Sequence, residues 1–173
     1  MDRLIAIIGY SDSGKTTLIE NLVPELKRRG YRIGTVKHAH HSPEFDKTGK
    51  DSWRHFDAGA ETAMIYGETL LTMVKHRRPS QAASSSDLQD LMKYFDDVDL
   101  VIAEGFKSGE FPKIEVYRAG DKAPPLCYSL GSVVAVVTDA DIAVAVNRFR
   151  FEQIGELADM IEQTVLRRQC QKC

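Results

Sequence analysis

Cysteine is scarce in this chain, with Cys127, Cys170 and Cys173 the only three among 173 residues. That excludes an oxidised, disulfide-built secreted framework. Aromatic residues amount to 8% and do not alternate with Lys or Arg, which argues against a stacking platform for single-stranded nucleic acid. An excess of one charge sign is missing too: the net charge is -2, so nothing calls for a nucleic-acid or membrane partner. No apolar run approaches the length of a membrane span. Met1, Asp2 and Arg3 lead straight into a strand pattern without room for a signal peptide, so a cytoplasmic protein is the expectation. The tetrapeptide pattern N-K-x-D occurs nowhere, which leaves the base of any nucleotide unassigned by spacing.

What is present is a phosphate loop. Gly9-Tyr10-Ser11-Asp12-Ser13-Gly14-Lys15-Thr16 fits G-x-x-x-x-G-K-[ST]. Before it, Leu4 to Ile8 is a short apolar run with β-branched residues, as in a buried parallel strand. After it, Ile19, Leu22, Val23 and Leu26 recur at helical spacing. The order strand, glycine loop, helix is what the chemistry requires. Gly9 and Gly14 let successive N–H groups converge at the positive end of a helix dipole. Lys15 can reach the β- and γ-phosphates, and the Thr16 hydroxyl can ligate Mg²⁺. The candidate nucleotide-binding set is Gly9, Ser11, Asp12, Ser13, Gly14, Lys15, Thr16 and Thr17.

The length suits one α/β domain, expected over residues 1–168 with a flexible tail at 169–173. The first helix should stop near Arg29 with Gly30 beyond its end, and Pro24 should kink it. Arg32 to Lys37 reads as the next strand, completing a βαβ unit. A polar loop from His38 to Lys50 should lead into a short helix capped by Asp51 or Ser52 and ended by Gly59. Ala63 to Tyr66 and Leu70 to Val74 read as a hairpin around Gly67 and Glu68. Ser86 with Gln89 resembles a capping box for a helix through Phe95. Leu100 to Ala103, Pro112 to Tyr117 and Val133 to Val137 are further strands, and a helix from about Glu152 to Arg168 closes the pattern. The fold class expected is α/β: a three-layer P-loop NTPase fold, mostly parallel, with a short antiparallel extension.

A phosphate-loop protein needs a carboxylate at the C-terminal end of a neighbouring strand to hold the Mg²⁺ shell or orient water. Asp99 and Glu104 bracket one strand. Ligands sit outside the carboxyl ends of parallel strands, and Asp99 lies five residues back, about 16 Å away at strand rise. Glu104 is therefore the catalytic and metal candidate beside Lys15 and Thr16, with Gly105 allowing a sharp turn. Lys107 could face a phosphate or a second ligand, or be a solvated loop lysine. Asp139 ends a strand where a nucleotide base would lie and could accept from guanine N1 and N2, or simply face solvent.

Gly9 to Thr17; Lys37, His38, Ala39, His40 and His41; Asp46 to Arg54; Ala58, Gly59 and Ala60; and Glu104, Gly105, Phe106 and Lys107 form a set of segments in this order. Together they resemble the molybdopterin-guanine dinucleotide biosynthesis protein B family. The phosphate loop alone is shared by many families, whereas K-H-x-H-H, G-K-D-S and E-G-F-K in this order are far more specific. The resemblance implies a GTP-binding, Mg²⁺-dependent protein with weak GTPase activity, usually homodimeric. It implies assistance to the molybdopterin guanylyltransferase, with delivery to molybdoenzyme apoproteins and contact with molybdopterin as further roles. The C-terminal Cys170 and Cys173 fall outside the matching pattern.

His38, His40 and His41 could bind a transition metal, contact anionic groups of a nucleotide or pterin, or be plain loop residues. Asp46, Lys50 and Asp51 lie in the same loop and by position could respond to the γ-phosphate as switch segments do. Two alternatives to an accessory GTPase stay open, a nucleotide-dependent metallochaperone and a small-molecule kinase. No arginine finger or water-orienting glutamine is identifiable from the sequence, so slow turnover is expected.

Overall fold

The computed structural model describes residues 3–39, 47–76 and 85–166, with the side chains of 85–87 outside that description. Leu4–Gly9 form β1, and every residue in it is buried. A strand covered on both faces needs no polar alternation, which is why its sequence reads as an unbroken apolar run. Its neighbours are β5 (Leu100–Glu104) and β6 (Lys113–Tyr117), both parallel to it. With β2 (Ile33–Lys37), β7 (Val133–Thr138) and β8 (Asn147–Phe149) they make a six-stranded sheet in the order β2-β5-β1-β6-β7-β8. Every pairing in it is parallel.

Period-two alternation divides β1 between two cores. Ile5 and Ile7 pack with Leu18, Leu22 and Leu26 of α1 (Lys15–Arg28) and with Leu157, Ala158 and Ile161 of α4 (Ile154–Ile161). Leu4, Ala6 and Ile8 face the opposite way, toward Leu88 of α3 (Ser85–Leu91), Phe111 and Val136. Helices therefore lie on both faces, the three-layer α/β arrangement expected. The helix α1 runs through Pro24 and ends in a Schellman motif: Gly30, at φ 95°, donates its N–H to Lys27 O, and Tyr31 donates to Leu26 O.

The first crossover skips a position. β2 does not pair with β1, because β5 returns to fill the place between them. The chain then moves to the other side of β1 to form β6, so the strand order reverses at β1. A crevice at the carboxyl ends is the place where such sheets bind ligands.

Residues 39–83 form a second compact unit. Within it α2 (Asp51–Asp57) precedes the antiparallel pair β3 (Thr62–Tyr66) and β4 (Leu71–Lys75), which forms a two-stranded sheet of its own. The His76 ring stacks on Phe56 at 4.0 Å and the His76 backbone N–H donates to Glu61 O, joining helix to hairpin.

Some boundaries differ from expectation. Lys50 is the N-cap of α2 and Asp51 its first helical residue, so neither Asp51 nor Ser52 caps it. Ser86 lies inside α3 rather than ahead of it, and the helix gives way at Met92–Tyr94 to a 3₁₀ turn. The last helix becomes a π-helical segment over Glu162–Leu166, and its further course lies outside the described residues. The strand β8 was not anticipated, since three residues carry too little periodicity to register.

Candidate functional site

The phosphate loop occupies the switch point. It leaves β1 at Gly9 and enters α1 after Gly14, whose φ of 98° places it in the left-handed region that glycine tolerates. A Cβ on Gly9 would strike the Val116 carbonyl of β6, so only glycine fits this exit. Gly14 is the N-cap of α1 and supplies no side-chain acceptor, and the first turn holds no acidic residue. The opening amides of α1, at Lys15, Thr16 and Thr17, have no intrahelical acceptors by geometry. Amides and dipole together suit an anion at this helix end. Ser13 adds a hydroxyl, buried to 1% exposure, whose Oγ has no hydrogen-bond partner among the described residues.

Lys15 folds back over the loop, donating from Nζ to Tyr10 O at 2.5 Å. Burial pulls its pKa below the ordinary lysine value and Glu104 opposes that shift, while Lys107 and Lys37 add to the lowering. An incoming polyphosphate would favour the ammonium form. The Thr16 hydroxyl lies 3.1 and 3.2 Å from the two carboxylate oxygens of Glu104, across the β1–β5 junction. Lys37 Nζ, at the end of β2, is 3.2 Å from the same carboxylate, which is 12% exposed. A hydroxyl beside a carboxylate is a hard oxygen donor set, the kind that Mg²⁺ takes while keeping several waters. Asp99 stands at the opposite end of β5, where Arg32 donates to it from backbone and side chain.

Gly105 turns the chain sharply at φ 89°, and Lys107 Nζ comes 5.2 Å above the Tyr10 ring, whose hydroxyl donates to Pro124 O. His38 continues from β2, donates its N–H to Glu104 O and places its ring 5.4 Å from Phe106. Ser11 and Asp12 sit in the loop, Asp12 at φ 60°. These residues gather at the carboxyl edge of the sheet. Lys50 and Asp51 belong to the second unit, where Asp51 faces Arg54 at 3.8 Å. His40, His41 and Asp46 lie outside the described residues, as do Cys170 and Cys173.

Arg118 was missed. It follows β6 directly and reaches the loop, donating from Nε to Ser13 O at 3.2 Å and from Nη1 to Asp139 Oδ2 at 3.0 Å. Asp139 also accepts from the Ala119 N–H at 2.9 Å, and that bond with the Arg118 contact holds its carboxyl below the usual aspartate range. The guanidinium lies 3.7 Å above the Phe151 ring. Its signal in the sequence was only its place, one residue past the carboxyl end of a parallel strand.

Against known proteins, the family model for molybdopterin guanine dinucleotide synthesis protein B matches residues 4–139. The chain is 36% identical over 161 residues to a molybdopterin-guanine dinucleotide biosynthesis adapter protein of Haemophilus influenzae, covering 92% of this chain and 87% of that one. With the adapter protein of Escherichia coli it shares 33% over 165 residues, covering 93% and 92%. A crystal structure of molybdopterin-guanine biosynthesis protein B superposes with a TM-score of 0.71 at 31% identity, over 94% of this chain and 98% of the other.

Proposed function

Because the chain belongs to the molybdopterin guanine dinucleotide synthesis protein B family, we propose that it is a GTP-binding adapter in molybdopterin guanine dinucleotide biosynthesis. It works beside the guanylyltransferase of that pathway and hydrolyses GTP slowly. The observation that carries this reading is the loop itself: helix-end amides with no side-chain cap from Gly14, Lys15 beside them, and Thr16 paired with Glu104.

In this reading Lys15 leaves the Tyr10 carbonyl and meets the β- and γ-phosphates. Thr16 and Glu104 would hold the Mg²⁺ shell, directly or through water. A bound ion would supply charge neutralisation on the phosphates there. Water attacks the γ-phosphorus, the bond to the β–γ bridging oxygen breaks, and GDP and phosphate leave with a proton to solvent. Arg118 lies on the β6 side of the loop, away from Thr16 and Glu104. A stabiliser at the γ-phosphate is worth about 10³–10⁵ in rate where GTPases acquire one. Without it, turnover stays slow until a partner contributes the missing group.

A homodimer fits the second unit. On one face of the hairpin Met64 pairs with Met73 and Tyr66 with Leu71, and these side chains are 58%, 37%, 87% and 61% exposed. A two-stranded sheet with an uncovered apolar face is marginal by itself, and a second copy supplies matching cover. Tyr66→Glu with Leu71→Glu should convert a dimer to a monomer in sedimentation. A wild-type chain that is already monomeric would assign this face to another partner.

Calorimetry with GTP and ATP, with and without Mg²⁺, tests the core of the proposal. Wild type should bind GTP more tightly with Mg²⁺, and Lys15→Ala should lose most of that affinity. No binding by the wild type at millimolar nucleotide would end this reading.

A further inference from the structure

Arg118 holds its guanidinium close to a helix N-terminus, where a positive charge is repelled. Its Nη2 stands 3.2 Å from the place a Gly14 Cβ would take, at the N-terminal end of α1. That end already carries partial positive charge and the Lys15 ammonium, and its first turn holds no acidic residue. Asp139 offsets the guanidinium on one side through Nη1, and Ser13 O takes Nε, while the plane rests on Phe151. Three contacts thus hold an arginine fork against a repelling dipole. A cation so held gains energy when an anion enters between it and the helix end. The orphaned, buried Ser13 hydroxyl in the same loop is an independent mark of a missing polar ligand.

The side of the loop decides which part of the anion is met. Thr16, Glu104 and Lys37 lie toward β5 and β2, where the metal and the terminal phosphate belong in the reading above. Arg118 and Asp139 lie toward β6 and β7, on the other side of β1. We propose that Arg118 is an anchoring residue for the phosphates nearest the nucleoside, gripping the α- and β-phosphates of a nucleoside di- or triphosphate through Nη2. This rests on the nucleotide reading of the loop. Asp139 then acts as a positioning residue that aims the fork rather than as a reader of the base.

The distinguishing measurement compares GDP with GTP by calorimetry on wild type, Arg118→Ala and Arg118→Lys, with single-turnover hydrolysis alongside. Removing a charge-assisted contact should weaken GDP and GTP by the same factor, about 10- to 100-fold. The single-turnover rate at saturating GTP should fall by a smaller factor than the affinity, because the contact is already made to phosphates that GDP and GTP share. The affinity of Arg118→Ala for GDP should also fall less steeply with added salt, since one charge contact is gone. Arg118→Lys should recover part of the affinity, keeping charge without the planar fork. GDP bound as tightly by Arg118→Ala as by wild type would overturn the proposal. So would a loss confined to GTP, since that places the arginine at the γ-phosphate. If the alanine variant fails to fold, Arg118→Gln, which keeps a side-chain stem over Phe151, carries the same expectations. A wild-type protein that binds neither nucleotide would defeat the loop reading itself, a result separable from these.

Discussion

The Thr16 hydroxyl and the Glu104 carboxylate, 88 residues apart in sequence, lie within hydrogen-bonding distance at 3.1 Å. They meet because β5 pairs in parallel with β1 and both strands end at the same edge. Glu104→Ala should leave GDP affinity within a few-fold of wild type. The Mg²⁺-dependent rate of GTP cleavage should fall by about 10²-fold, the scale of losing one aligned stabilising group. Phosphate release in single turnover measures this, and an undiminished rate would remove Glu104 from the metal shell.

Gly9→Ala should destabilise the fold by about 3 kcal/mol or more, because backbone rather than a yielding side chain blocks the added methyl. The Val116 carbonyl stands in its path and Ser13 Oγ lies 2.7 Å from it. Urea unfolding reads the loss directly. Gly59→Ala meets open space and differs only in its positive φ, so its cost should be smaller.

A buried carboxylate offers a second stability test. Glu115, fully buried on β6, accepts N–H bonds from Leu126 at 2.6 Å and Cys127 at 2.8 Å. Glu115→Gln keeps one good acceptor and turns an NH₂ group toward the other donor. A loss of about 2 kcal/mol is expected, that of a buried hydrogen bond to charge left unmade. Burial and the nearby Glu115 push the Cys127 thiol up to about 11, so it should react slowly with thiol reagents near neutral pH until the chain unfolds.

Acid stability should depend on Glu25. Arg28 and Arg29 donate to its carboxylate and hold its pKa at about 2, against an ordinary 4.5. A carboxyl depressed in the folded state contributes stability that is fully present above its unfolded value and is lost as pH falls through the folded one. The window therefore runs from about 4.5 down to about 2. Glu25→Gln should flatten the fall of melting temperature across that window and lower stability above it. Arg29 also binds Asp159 at 2.6 Å, Glu162 at 3.2 Å and the Gly155 carbonyl, tying the end of α1 to α4. Arg29→Ala should accordingly cost more than Arg28→Ala, whose only carboxylate partner among the described residues is Glu25.

The elements that could be read in advance share one property, that their signal is contiguous. The run Leu4 to Ile8 had to be buried on both faces, and Gly14, Lys15 and Thr16 open the helix α1 as their pattern required. Glu104 was reachable by counting strand rise from Asp99, and the two acids do stand at opposite ends of β5. The hairpin was visible in two apolar runs about a glycine. Caps were less legible. Lys50 rather than Asp51 opens α2, since a helix can begin on an extended residue without any side-chain bond.

By itself the amino-acid order determined the phosphate loop, its flanking strand and helix, and that Glu104 rather than Asp99 ends β5 on the carboxyl side, because each rests on neighbours in the chain. Tertiary structure alone decided that β5 lies between β1 and β2, and that Arg118 and Asp139, just past two further strands, pair beside the loop, with Arg118 donating to Ser13 O. Adjacency in a parallel sheet is set by contacts across tens of residues, chosen by how whole faces pack. Local periodicity records which way a side chain points, but not which strand will stand beside it.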